Sequence, residues 1–320
     1  MNSVIDSIRF LTDLDRYGTL LKRLGSEPSI GYPSGESNAN MPNIFFVDSG
    51  NGAAGNSGRS PDRAISTIDA AIGLCTANRG DVIVVLPGHS ESISTAGGIA
   101  ADVAGINIIG VGTGSLRPTV LFTGTAATIA VSAANVYINN IACKGGIDEV
   151  VSLIVVSAAD CTLDNIGYIE DTAYNVRQFV LTTTAADDLV IKNCHHVHAT
   201  VSAATSCIWV ELIGADRAKI LDCSFIITLP NHASSSTIAV TGTLATDVQV
   251  GRVVICQTGG TTQDNLMSFI TNTTGMVHDV RAFGNVGTLA ASMDLASCGV
   301  SEVYVATTVL KNGILEPVVA

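Results

Sequence analysis

The chain has 320 residues, 47% of them hydrophobic and only 14% charged, with 28 acidic against 16 basic side chains and a net charge of −12. Nucleic-acid binding draws its affinity from Lys and Arg neutralising phosphates, and anionic membrane surfaces recruit the same residues, so this balance argues against both partners. No stretch approaches the roughly 18 apolar residues of a membrane span, and no apolar signal core accompanies Arg9, the first basic residue.

An ordinary soluble domain is roughly 25% charged, and a body this poor in charge is expected to bury much of its side wall against other subunits. Eight cysteines occur without any Cys-x-x-Cys pair, which reads as reduced thiols packed as small apolar residues in a protein assembled in a cytoplasm.

In chain order, Val4, Ile5, Ile8, Leu11, Leu14, Tyr17, Leu20, Leu21 and Leu24 recur at spacings of three and four, predicting an amphipathic helix. Ser3 and Asp6 resemble a capping box, and Gly25 is a stop signal. Residues 26–43 hold Pro28, Gly31, Pro33, Gly35 and Pro42 and read as an extended linker. Residues 1–43 therefore form an arm and linker, and residues 44–320 the body.

Ile44-Phe45-Phe46-Val47-Asp48 predicts a first strand, followed by a Gly/Asn/Ser loop. Pro61 through Ala77 reads as a capping helix with Ile65, Ile68, Ala71, Ile72 and Cys75 as its apolar stripe. Gly80-Asp81 then opens the strand Val82–Leu86, closed by Pro87-Gly88. A solenoid needs such a cap, because an open first coil would expose strand edges and core.

From Ala134 to Gln257 one phrase recurs five times, the fifth copy more worn: a turn with Asn or Asp, then residues alternating between apolar and polar. Its anchors Asn140, Asn165, Asn193, Asp222 and Arg252 lie 25, 28, 29 and 30 residues apart. A repeat of this length is a unit that cannot bury its own apolar face and must stack on its neighbours. Strands and turns alone fill the unit, so each copy is one coil of a solenoid of parallel strands.

The order Phe46-Val47-Asp48, Gly/Asn loop, Ser60-Pro61, Ile65-Ser66-Thr67-Ile68, Gly80-Asp81-Val82-Ile83-Val84 and Pro87-Gly88 resembles the N-terminal coil of pectate-lyase-like right-handed parallel β-helices. Many such chains occur among virion proteins of tailed bacteriophages. The motif resemblance covers residues 44–90, and repeat character extends it over about 91–310. The expected fold is thus all-β: a single right-handed parallel β-helix of about eight to ten coils, with an N-terminal amphipathic helix and a short capping helix inside an N-terminal cap at 44–90.

That fold hosts lyases, hydrolases and inert structural proteins, so function has to come from residues. Family lyases use a Lys or Arg base beside calcium held by acidic side chains. Only nine basic residues occur from Val82 onward: Arg117, Lys144, Arg177, Lys192, Arg217, Lys219, Arg252, Arg281 and Lys311. Family hydrolases use paired aspartates, a Gly-His-Gly turn and an Arg-x-Lys strand. Asp187-Asp188 and Arg217-Ala218-Lys219 match two of these elements, but Gly-His-Gly is absent and both fragments belong to the turn-and-strand repeat. Cys194, His196 and His198 alternate along one strand face and could suit zinc. Cys194, however, matches the inward Cys223 of the next copy, which points to structural histidines. Arg79-Gly80-Asp81 resembles an adhesion tripeptide that the turn before a strand explains equally well.

These readings predict no catalytic, cofactor or metal residues. They point to a non-enzymatic structural virion protein: a homotrimeric capsid decoration (cement) or minor capsid protein that docks on the major capsid protein or other virion subunits through Ile5, Ile8, Leu11 and Leu14. The alternative is a tail fibre or spike component that binds or cleaves host polysaccharide, with a free polysaccharide lyase as a third reading.

Overall fold

The computed structural model describes residues 42–171, 173–198, 207–228, 235–258, 265–284, 293–307 and 313–315; the arm, with Ile5, Ile8, Leu11 and Leu14, lies outside them. The described chain is a parallel β-helix with three walls. The first wall stacks Ile44–Val47, Val82–Val85, Asn107–Gly110, Tyr137–Asn139, Thr162–Asp164, Val190–Lys192 and Lys219–Leu221, then the long strands Val248–Thr258, Thr274–Gly284 and Ser297–Thr307. The second wall begins as a four-stranded sheet, Ser90–Ile93 to Gly167–Ile169. It continues through His195–His198 and Ser224–Thr228, which pair onward into the far half of Val248–Thr258. The third wall has eight strands, from Ile99–Ala101 to Met293–Asp294. Every pairing between coils is parallel, and Gly313–Leu315 alone runs antiparallel, against Ser297–Thr307.

The corners explain the repeat. Asn140, Asn165, Asn193, Asp222 and Arg252 have φ of 57°, 51°, 55°, 54° and 53°, and the residues five positions earlier (Asn135, Asp160, Asp188, Arg217 and Asp247) have φ of 55–59°. Each repeated phrase is thus a short first-wall strand bracketed by two left-handed corners. Asn and Asp tolerate this region better than other side chains bearing a Cβ, because their short polar groups bond locally. At the first of these anchors, Asn140 Nδ2 donates to the carbonyls of Gly110 (2.8 Å) and Gly112 (3.0 Å), and Asn140 Oδ1 accepts from Asn165 Nδ2 at 3.1 Å. Gly110 has to be glycine, since a Cβ there would lie 2.2 Å from the Asn140 carbonyl oxygen.

Inward positions fill one continuous core: Ile83, Ile108, Ile138, Leu163, Ile191, Ile220, Val250 and Val277 stack along the first wall. Cys143, Cys161, Cys194, Cys207 and Cys223 are buried in that core as free thiols.

The cap departs from the sequence reading. The expected helix over Pro61–Ala77 is a single turn, Pro61–Arg63, and a five-residue helix α1, Ile68–Ile72. Ile65 is drawn into the sheet instead, bridging Val47 and exchanging backbone hydrogen bonds with Phe46 and Asp48. Thr67 then caps α1 and Gly73 closes it. The stripe was read correctly, because Ile65, Ile68, Ala71 and Ile72 are all buried. The Glu91 carboxylate accepts from Ile68 N at 3.2 Å and ties α1 to the next coil.

The corner account predicts that Asn140→Ala costs about 4 kcal/mol, roughly 1 from left-handed strain and about 1 for each of its three lost hydrogen bonds, whereas Asn140→Gly costs only about 3. Denaturant unfolding of the two variants measures the difference.

Candidate functional site

The Asp187-Asp188 pair occupies a corner. Arg217, one coil on, clamps Asp188 with Nε and Nη2 at 2.9 and 2.8 Å and reaches Asp187 at 3.5 Å. The Arg217 hydrogen bonds hold the Asp188 carboxyl below its ordinary range and raise Arg217 in turn. Arg252 grips Asp222 one coil further on in the same bidentate manner. Both arginines sit at left-handed φ, an uncommon place for them, and the clamp to the corner below compensates. These carboxylates serve the corners and are not arranged as a catalytic pair.

The His195–His198 strand turns His196 and His198 into the core, both almost wholly buried. His196 Nε2 lies 2.9 Å from the Ile166 carbonyl oxygen, and its Nδ1 accepts from Trp209 Nε1 at 3.0 Å, which fixes the neutral Nε2–H tautomer. Phe179, Trp209 and Phe225 surround the ring. Burial drives the His196 pKa down to about 3, and His198 is also lowered, chiefly by burial. Cys194 bonds backbone, with Sγ 3.3 Å from the Lys192 carbonyl oxygen. Among the described residues no group of three or more His, Cys, Asp or Glu is placed to hold a metal ion. The Arg79-Gly80-Asp81 tripeptide is closed on itself: buried Asp81 takes two hydrogen bonds from Arg79 and one each from Asn43 N and Thr76 N.

A polar cluster that the sequence reading did not assemble lies on the outer face of the first wall. Register places Tyr137 opposite Thr162, Asn139 opposite Asp164, Asp164 opposite Lys192, and Val190 opposite Lys219. Asp164 is buried although its side chain points outward. Its Oδ2 accepts from Tyr137 Oη at 2.8 Å and lies 3.4 Å from Lys192 Nζ, while Oδ1 accepts from Asn193 Nδ2 at 2.7 Å. Lys219 stands exposed on the next strand, diagonal to Lys192. Higher on the same face, the Gln249 amide meets His278 Nε2 at 3.1 Å. The His278 ring lies over Gly251, where a Cβ would come within 2.4 Å of it.

The face therefore presents one carboxylate that accepts a hydrogen bond from a phenol, with the Lys192 ammonium beside it and Lys219 one coil further on. That set can bind an anion, take up a proton and deliver one. Asp188 and Asp222 are held by their arginines at the corners, so neither is placed as the second carboxylate that hydrolysis across a bond would require. The missing signal was register: Tyr137, Asp164, Lys192 and Lys219 are separated by 27, 28 and 27 residues and meet only when the coils stack.

No protein-family model and no curated protein matches the chain. Among solved structures it is similar to a rhamnogalacturonan lyase, at 12% identity and a TM-score of 0.46, with 82% of this chain and 87% of that one covered. It is also similar to a GH136 lacto-N-biosidase from Eubacterium ramulus, at 10% identity and a TM-score of 0.38 over 94% of this chain and 72% of that one. These likenesses concern the fold alone, a parallel β-helix that the strand pairing shows by itself. The expectation of a non-enzymatic chain is corrected at this point: the two similar solved structures are a lyase and a lacto-N-biosidase.

The two buried histidines set a pH dependence. Their folded pKa values lie below the ordinary 6.5, so the unfolded chain binds more protons once pH falls below that value. Stability is expected to fall from about pH 6.5 downward, by up to about 1.4 kcal/mol per pH unit for each histidine, with the His196 contribution continuing toward about pH 3. Denaturant midpoints between pH 7 and pH 4 measure this slope, and His196→Gln should flatten it.

Proposed function

We propose that this protein binds a polysaccharide on the outer face of its first wall and cleaves it, the host-polysaccharide reading of the sequence and not the capsid-cement one. The observation that carries the proposal is the Tyr137–Asp164–Lys192 cluster: a carboxylate turned outward yet buried, hydrogen-bonded to a phenol and flanked by an ammonium. Lys192 and Lys219 suit a sugar carboxylate, and one carboxylate with a phenol bonded to it suits elimination better than hydrolysis by a pair of carboxylates.

In that reaction Asp164 takes the proton on the carbon next to the substrate carboxylate. The electron pair left behind forms a carbon–carbon double bond, and the glycosidic carbon–oxygen bond at the β carbon breaks. The leaving oxygen takes the Tyr137 hydroxyl proton, and Tyr137 recovers a proton from Asp164 across their 2.8 Å hydrogen bond. Lys192, beside the substrate carboxylate, favours the carbanion-like charge that develops there.

The test is a panel of uronate-containing polysaccharides, followed by ultraviolet absorbance of the new double bond. Turnover should appear on at least one polymer and fall at least a hundredfold in Tyr137→Phe, which keeps the ring and the fold. Lys192→Ala should lower kcat as well as raise KM, since Lys192 both binds the substrate carboxylate and stabilises the developing charge. Turnover that Tyr137→Phe leaves intact would remove the cluster from the mechanism, and absence of both binding and turnover across the panel would overturn the function.

A further inference from the structure

The second wall carries an apolar ladder that its own coils leave uncovered. Val197, Ile226, Cys256 and Phe283 are in register on four consecutive coils, and Ile169 stands on the coil before them. Beside this column, Ser224, Val254, Arg281 and Tyr304 form a second one. Of the twelve exposed large apolar side chains among the described residues, six are on this face: Ile169, Val197, Ile226, Val254, Phe283 and Tyr304, each between 41% and 53% exposed. Half of that exposed apolar surface is thus gathered on one strip, and a gathered strip is the kind that marks a contact.

The strip is narrow. Strands stack about 4.8 Å apart, so Ile169 to Phe283 spans only about 19 Å, and two columns of side chains make an area well below the ~800 Å² per partner of a standard protein interface. A single helix fits it better than a second body. At about 100° per residue, Val4, Ile5, Ile8, Leu11 and Leu14 fall on one half of a helix, and eleven residues at 1.5 Å rise make about 16 Å. The reach also agrees. Asn43 lies at the first coil, beside Asp81, and the ladder begins four strands further along, about 19 Å away, and around one corner. The stretch from Gly25 to Asn43 can extend to about 60 Å. A tether of that length is what an arm needs in order to climb from the first coil and turn onto the second wall.

We propose that the apolar half of residues 4–14 covers this ladder within the same chain, with Ile5, Ile8, Leu11 and Leu14 as its anchors. The arm then shields a strip that would otherwise drive association, as amphipathic helices do when they lie along an apolar groove.

Cys256, a half-exposed thiol in the ladder, supplies a native probe. In the full chain, Leu11→Cys treated with a short bis-maleimide should give a cross-link between positions 11 and 256 at single-chain mass, identified by peptide mass spectrometry and lost in Cys256→Ser. Ile8→Cys serves as a second probe should Leu11→Cys disturb the arm. Phe283→Asp, at an exposed position, should lower the yield several-fold while the circular dichroism of the body stays the same. A linked product at twice the chain mass would assign the strip to a neighbouring copy and overturn the proposal. No linkage to Cys256 from either probe would overturn it as well, and would return the arm to some other partner.

Discussion

The structure depends on how each coil turns its corners. Parallel strands satisfy one another's backbone groups only if successive coils stay in register, and coils of unequal length stay in register only if the extra residues are confined to loops. The left-handed residues do this at both ends of the first-wall strand: Asn135 with Asn140, Asp160 with Asn165, Asp188 with Asn193, Arg217 with Asp222, and Asp247 with Arg252. Each costs about 1 kcal/mol as a residue bearing a Cβ in that region. Hydrogen bonds and ion pairs between neighbouring coils offset the cost, from the Asn140–Asn165 contact to the clamps of Arg217 on Asp188 and Arg252 on Asp222. The corners are therefore a ladder of their own, running along the edge of the first wall.

Holding register has a chemical consequence. Residues about 28 positions apart become neighbours at strand spacing, so a functional constellation can be assembled with no local motif. Tyr137, Asp164 and Lys192 come from three coils and share one carboxylate oxygen. The pair that does look like a motif, Asp187-Asp188, is used by the corner. The same residue type thus plays two parts, and the partner decides which: a guanidinium from the next coil makes a corner, whereas a phenol and an ammonium on an open face make the cluster proposed here to hold a ligand.

Much of the architecture could be read from the sequence because corners and core are periodic. The five anchors were found by spacing alone, and all of them are left-handed. The inward thiol of Cys194 followed from its match to Cys223, and both are buried. Three features were less legible. The helix expected over Pro61–Ala77 was shortened because Ile65 bridges Val47, a tertiary pairing that overrides local periodicity. The polar face and the apolar ladder were invisible because each is a column across coils, defined by pairing and not by neighbours in sequence. The expectation of a non-enzymatic chain came from the absent Gly-His-Gly turn, the assignment of the Asp187-Asp188 pair to the repeat, and a count of basic residues over the whole body. A count takes no account of register, which sets Lys192 and Lys219 on adjacent strands of one face.

The central claim is that stacking gathers a ligand site on the outer face of the first wall, and a crystal structure of the protein with a bound oligouronide tests it most directly. The account predicts sugar density across Tyr137, Asp164 and Lys192, with a carboxylate against Lys192 or Lys219. An oligosaccharide seated on the second or third wall, with this face bare, would contradict it.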